Sequence, residues 1–246
     1  MKTQYRIALL VFVLLMFSAL ALHFAGSVNA TATSQIVGTV KLDGQAPHQK
    51  PIDMSKDPVC MQGRTGMATM ENVVVGANGG LANVVVYISQ GLTGNEGPTP
   101  SKPAVMDQKG CQYIPHVLAL NVGQHLTVLN NDKTAHNIHP QPNPAGGNAQ
   151  WNKSQMPGSS PFDITWTNEE VAIPVKCNIH PWMHGYIAVV KGPFGLSNDS
   201  GSFKLENVPP GTYTLTAWQE TFGTQTQKVT VAAGKPGTAD FTFKAK

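Results

Sequence analysis

Past residue 30, apolar residues come in short runs that alternate with polar ones, and clusters of Gly, Pro and Asn separate the runs. A two-residue period puts successive side chains on opposite faces of an extended chain, whereas a helix needs apolar residues three and four apart. Helical periodicity is nearly absent, which confines the chain to an all-β architecture, a sandwich or barrel. Strands are predicted at 36–40, 84–88, 117–122 and 125–129. The continuous apolar run 84–88 implies burial on both faces. Residues 117–122 and 125–129 flank Gly123-Gln124 and read as two strands joined by a tight turn. Phe162, Ile164 and Trp166 alternate, as do Val171, Ile173 and Val175, with Pro174 pointing to an edge strand. A strand over 185–190 follows, and the alternation returns at Phe203/Leu205, Tyr213/Leu215/Ala217, Val229/Val231 and Phe241/Phe243. Residues 91–103, with three prolines and three glycines, and 140–161, with five and three, read as irregular; the second is long enough to be functional.

The first thirty residues stand apart. Lys2 and Arg6 precede an apolar run over 7–22, too short for the roughly 20 residues of a membrane span. Val28-Asn29-Ala30 then supplies small residues for cleavage, so residues 1–30 read as a secretory signal peptide, with an uncleaved anchor as the rival. Without Lys2 and Arg6 the formal charge falls from +3 to +1, and a nearly neutral chain lacks the basic face that nucleic-acid binding requires. Only 13% of residues are charged, against an ordinary figure of about 25%. The expected product is exported, periplasmic or extracellular, and soluble or peripherally associated with the envelope.

The chemistry concentrates in Cys177-x-x-His180-x-x-Met183, about forty residues after His136-Asn137-Ile138-His139. One thiolate, two imidazoles and a thioether form the ligand set of a mononuclear blue-copper centre: two His and one Cys in a plane, with a weak axial Met. His136, Cys177, His180 and Met183 are the expected ligands of one type 1 copper ion. His184 is the alternative fourth ligand, and Asn137 is placed to tie the two loops together. Four protein ligands leave no open position for substrate, so an electron carrier is expected rather than an enzyme. The outer edge of His180, with Pro181 and Trp182 behind it, is the expected exit for the electron. Of the three cysteines, an odd number for an exported chain, Cys177 is then the metal thiolate, and Cys60 and Cys111 remain to pair in an oxidising compartment. His116, His125 and His139 read as polar surface or loop residues, a second metal role for His116 being the weaker alternative. Met54, Met61, Met67 and Met70 read as irregular packing, a Cu(I) acquisition surface being the weaker alternative.

The segment 113–191 resembles the cupredoxins, amicyanin most closely. The resemblance rests on Val122-Gly123-Gln124, the stretch 130–139 and Cys177-Asn178-Ile179-His180-Pro181-Trp182-Met183. It implies a Greek-key β-sandwich with copper held by His136, Cys177, His180 and Met183, and redox proteins as partners. The flanking sequence resembles the carboxypeptidase regulatory-like domain, a small prealbumin-type or immunoglobulin-like β-sandwich. The matching residues are Gly38-Thr39-Val40, the run 82–88, and Gly201-Ser202-Phe203-Lys204-Leu205 through Pro209-Pro210-Gly211-Thr212-Tyr213-Thr214-Leu215. Together they imply a frame of residues 31–104 and 192–246 with a cupredoxin domain, 105–191, inserted into it. The function expected is single-electron transfer; a copper chaperone or storage protein, and an envelope binding module with a non-blue copper site, are the alternatives.

Overall fold

The computed structural model describes residues 33–62, 66–94 and 98–245; the predicted export segment, 1–30, lies outside them. The first strands in chain order are β1 (Ser34–Asp43), β2 (Val85–Gln90), β3 (Ala104–Lys109), β4 (Gln112–Ile114), β5 (Val117–Asn121) and β6 (His125–Asn130). Next come β7 (His136–Pro140), β8 (Lys153–Gln155), β9 (Phe162–Thr165), β10 (Glu170–Lys176) and β11 (His184–Val190). The chain ends with β12 (Phe194–Leu196), β13 (Ser202–Val208), β14 (Gly211–Gln219), β15 (Gly223–Val231), β16 (Gly237–Thr238) and β17 (Phe241–Lys244). One four-residue helix, α1 (Pro58–Met61), interrupts the β-structure between β1 and β2.

These strands make four sheets. In the first, β1 pairs with β13, β16 and β17; the second runs β12-β2-β14-β15. Between them lies a core that includes Ile36, Val40, Phe203 and Phe241 from one side and Val84, Val86, Ile88 and Leu215 from the other. The third sheet runs β5-β11-β10-β7-β8 and the fourth β4-β3-β6-β9. Their shared core includes Leu118, Leu120, Leu126, Val128, Ile173 and Ile187. The second and third sheets also meet each other, through Val85 and Trp218 on one and Val117, Ala119 and Ala188 on the other. The run 84–88 is therefore apolar on both faces: Val84, Val86 and Ile88 face one core, Val85 the other layer.

Three expectations are corrected. Pro174 lies on an interior strand, since β10 pairs with β11 on one side and β7 on the other. Its carbonyl accepts from Gln141 N, so its nitrogen faces the same side, at the last rung beside β7, where the missing N–H removes only the closing bond of that ladder. Gly123 (φ +80°) makes the tight turn after β5, but β5 and β6 do not pair: the turn carries the chain from the third sheet to the fourth. Within 140–161, Lys153–Gln155 pairs with His136–Ile138 as β8, a strand whose polar sequence gave no alternation to read.

The long excursion between β1 and β2 forms a cap on the second sandwich. Ile52, Met54, Cys60 and Ala68 pack with Cys111 in a small core of their own, and Cys60 is disulfide-bonded to Cys111, as expected. Met54 is buried there, whereas Met61 and Met67 are exposed.

Candidate metal centre

The predicted ligands come from three strand ends. β7 starts at His136, β10 ends one residue before Cys177, and β11 starts one residue after Met183. The register pair Lys176–His184 closes the loop between the last two strands. Inside that loop, Met183 N donates to His180 O (2.9 Å) and Cys177 N to Met183 O (3.0 Å). Gly185 anchors the return for a spatial reason: a Cβ there would stand 2.6 Å from the His116 carbonyl oxygen, whose partner is Tyr186 N. His136, Cys177, His180 and Met183 are all buried, none more than 3% exposed.

Asn137 fastens the two loops together. Its Oδ1 accepts from Asn178 N (2.7 Å) and lies 3.4 Å from Cys177 Sγ. Its Nδ2 donates to Asn152 Oδ1 (2.7 Å), and the Tyr113 hydroxyl donates to its carbonyl (2.6 Å).

Two carboxylates absent from the sequence-based reading aim the imidazoles. Asp132 Oδ2 lies 2.7 Å from His136 Nε2, and Asp57 Oδ2 2.9 Å from His180 Nε2. An ionised carboxylate only accepts, so each Nε2 carries the proton and each Nδ1 is left to face inward. Asp132 is itself fixed by the amides of Gly110 (2.6 Å) and Cys111 (2.8 Å). Asp57 is the N-cap of α1: its Oδ1 accepts from Val59 N (3.0 Å), and Pro58 supplies the first helical position. The local signals were a histidine four residues after Asp132 and an Asp-Pro pair at 57–58; the contact with His180 spans 123 residues and had none.

The two Nδ1 atoms are 3.0 Å apart, and Cys177 Sγ is 3.9 Å from His180 Nδ1. Donor atoms of His136, Cys177 and His180 all lie within 4.8 Å of one another. Two inward lone pairs at this separation repel unless a proton or a cation lies between them. The donor set therefore fits a soft or borderline ion, and a thiolate with two imidazoles fits copper. Met183 is buried in the same core as Cys177.

Burial opposes ionisation of Cys177, but hydrogen bonds from His136 and from the amides around it bring the thiol down to about 6. Burial likewise pulls His136 down, and its hydrogen bonds to Asp132 and Cys177 outweigh this and raise it to about 9. For Asp132, desolvation pushes up, and the bonds from His136 and the two amides bring it below its usual value. The bond from His180 lowers Asp57.

The other histidines fall elsewhere. His184 donates from Nδ1 to Trp182 O (3.1 Å) and turns toward His116, away from the Cys177 group. His139 meets Asn178 and Gln150 on the outside, and His125 is exposed. His116 is buried, not on the surface. The expected exit at an open His180 edge is also corrected: His180 is 2% exposed because Asp57 and the cap cover its outer nitrogen. The Trp182 ring lies 5.1 Å from that of His180, tilted by 44°, and donates its indole N–H to Cys111 O (3.2 Å), packing against the cap.

Residues 194–244 match the carboxypeptidase regulatory-like domain family. No curated protein matches the chain significantly. Solved structures similar to it include a Cu-containing nitrite reductase (NirK) from Thermus scotoductus SA-01, at 20% identity and a TM-score of 0.33 over 42% of this chain and 26% of that one. A purple cupredoxin from Nitrosopumilus maritimus is 25% identical, with a TM-score of 0.30 over 35% of this chain and 99% of its own. A mutant amicyanin in its Cu(I) form is 19% identical, with a TM-score of 0.31 over 43% of this chain and 98% of its own. The chain thus spans about a quarter of the reductase.

Proposed function

We propose that this protein is an exported type 1 copper protein that carries single electrons between redox partners, with one copper held by His136, Cys177, His180 and Met183. The observation that carries the reading is the convergence of two carboxylate-oriented imidazoles and a thiol of lowered pKa in one buried cluster. Copper supplies a one-electron couple at such a site, and mixed nitrogen and sulfur donors suit both of its oxidation states. The chain's part is to hold the donors still. Asp132 and Asp57 fix both rings, Asn137 fixes the ligand loop, and the sandwich core excludes water. Asp57 also gives the electron a route outward: its side chain is 24% exposed and touches His180 Nε2 directly. Export is supported by the charged and apolar order of residues 1–22 and by the disulfide. Among the described residues no helix is long and apolar enough to cross a membrane. We assign the copper site to a module of residues 105–191, framed by 31–104 and 192–246.

The test is the visible spectrum of the Cu(II)-loaded protein. An intense thiolate-to-copper band is expected, and Cys177→Ser should abolish it while the far-ultraviolet β-signal persists. A colourless protein with full copper occupancy overturns the reading.

A further inference from the structure

A second cluster of metal-ligating side chains lies apart from the Cys177 group. His116 follows β4, His184 opens β11, and Glu220 sits in the turn between β14 and β15. Each offers one ligand atom, all within 4.8 Å of one another. His116 Nε2 is 2.5 Å from Glu220 Oε2, and the two imidazoles meet edge to face with centroids 5.2 Å apart. We propose that His116, His184 and Glu220 form a second metal site for a divalent ion of the zinc or copper(II) class, distinct from the Cys177 centre.

Three features separate this group from a simple ion pair. The Glu220 side chain is 3% exposed and that of His116 5%. The second carboxylate oxygen, Glu220 Oε1, is buried with no hydrogen-bond partner. A buried carboxylate oxygen left without a partner is costly, and a coordinated cation would satisfy it. The third feature is the outer nitrogens. A ligating histidine commonly donates its other N–H to a carbonyl or carboxylate. His184 Nδ1 meets the Trp182 carbonyl at 3.1 Å, which leaves Nε2 with the free lone pair. His116 Nδ1 lies 4.0 Å from the Glu71 carboxylate, beyond direct hydrogen-bond reach, and Nε2 donates to Glu220, so an ion bound here would displace the Nε2 proton and part the two groups.

The donor set defines the ion. Two imidazoles and a carboxylate, with no thiolate, match divalent zinc or copper(II) and disfavour copper(I). His116 and His184 belong to the second sandwich and Glu220 to the first, so the ion would also tie the two together.

The experiment uses the full chain carrying Cys177→Ala, with the disulfide intact, so that its outcome does not depend on the copper reading. Zn2+ titrated calorimetrically is expected to bind at one ion per chain and to raise the thermal midpoint. His184→Ala and Glu220→Gln on that background should each weaken zinc at least tenfold, the lower end of what even outer-shell changes cost a metal site. Both should also abolish the zinc-dependent rise in the midpoint. Unchanged zinc affinity in either variant overturns the site. So does a Glu220→Gln chain that is less stable without zinc while binding zinc as its parent does, since the pair would then be only a structural staple.

Discussion

Burial alone would leave Cys177 a thiol and His136 a neutral ring, yet their neighbours set them as a thiolate beside an imidazolium. Cys177 stands near 6, below its usual 9.0, and His136 near 9, above its usual 6.5. His136 therefore contributes stability that is fully present below about 6.5 and lost as the pH rises through about 9. Cys177 contributes stability that is present above about 9.0 and lost as the pH falls through about 6. Between these limits the metal-free folded chain and the unfolded chain each hold one proton on the pair. The stability of the metal-free protein should thus be flat across this window. A metal ligated by both groups displaces the His136 proton, so affinity should rise by roughly tenfold per pH unit from about 6 to about 9. Calorimetry of copper binding at pH 7.5 in buffers of different ionisation enthalpy should count about one proton released per ion. Release of none, with an affinity independent of pH, would show that the pair is not held as thiolate and imidazolium.

At the scale of elements, the cap is the part that changes how the centre meets solvent. Asp57 reaches His180 because α1 begins there, and α1 is held by the Cys60–Cys111 bond. Replacing both cysteines by serine should cost ~2–4 kcal/mol in chemical denaturation. It should also loosen the cap over His180, so that hydrogen exchange at the α1 amides quickens and electron self-exchange of the copper form rises. An unchanged exchange rate at α1 would mean that packing of Ile52, Met54 and Ala68 holds the cap without the bond. The disulfide itself was legible by counting cysteines, because a thiolate ligand removes one of three. Strands were legible where alternation or a fully apolar run marks a buried face, as at Val84–Ile88 and Phe203/Leu205 in the frame and Ile173/Val175 beside the site. What could not be read depends on partners distant in sequence. Pro174 is tolerated in an interior strand only because β7 ends beside it, and β8 forms only because β7 offers it a free edge. The cap has no period at all, and its placement over His180 rests on a contact between residues 57 and 180.

For the whole molecule, the layer between the second and third sheets decides whether the two sandwiches behave as one body. Tyr186 meets Trp218 edge to face with centroids 5.1 Å apart, and Val85, Val117, Ala119 and Ala188 fill the space around them. The centre of the layer is apolar and buried, with Val85, Val117 and Ala188 at most 1% exposed. Sandwiches that share such a layer lose its burial together, so β14 and β11 should open in a single cooperative step. Native-state hydrogen exchange should then report the same highest opening free energy for amides of both strands. Ala188→Glu places an unpaired carboxylate in the layer, without altering either sandwich's inner core or any proposed copper ligand. An uncompensated buried charge costs about 3–5 kcal/mol, which the chain can relieve only by separating the two sheets or by protonating the carboxylate. The opening free energies of β14 and β11 should therefore part company in this variant, with the difference shrinking as the pH falls and the carboxylate takes up its proton. Amides of the two strands that stay matched in Ala188→Glu, or that already differ in the parent, would show that each sandwich folds on its own and that the shared layer only holds them side by side.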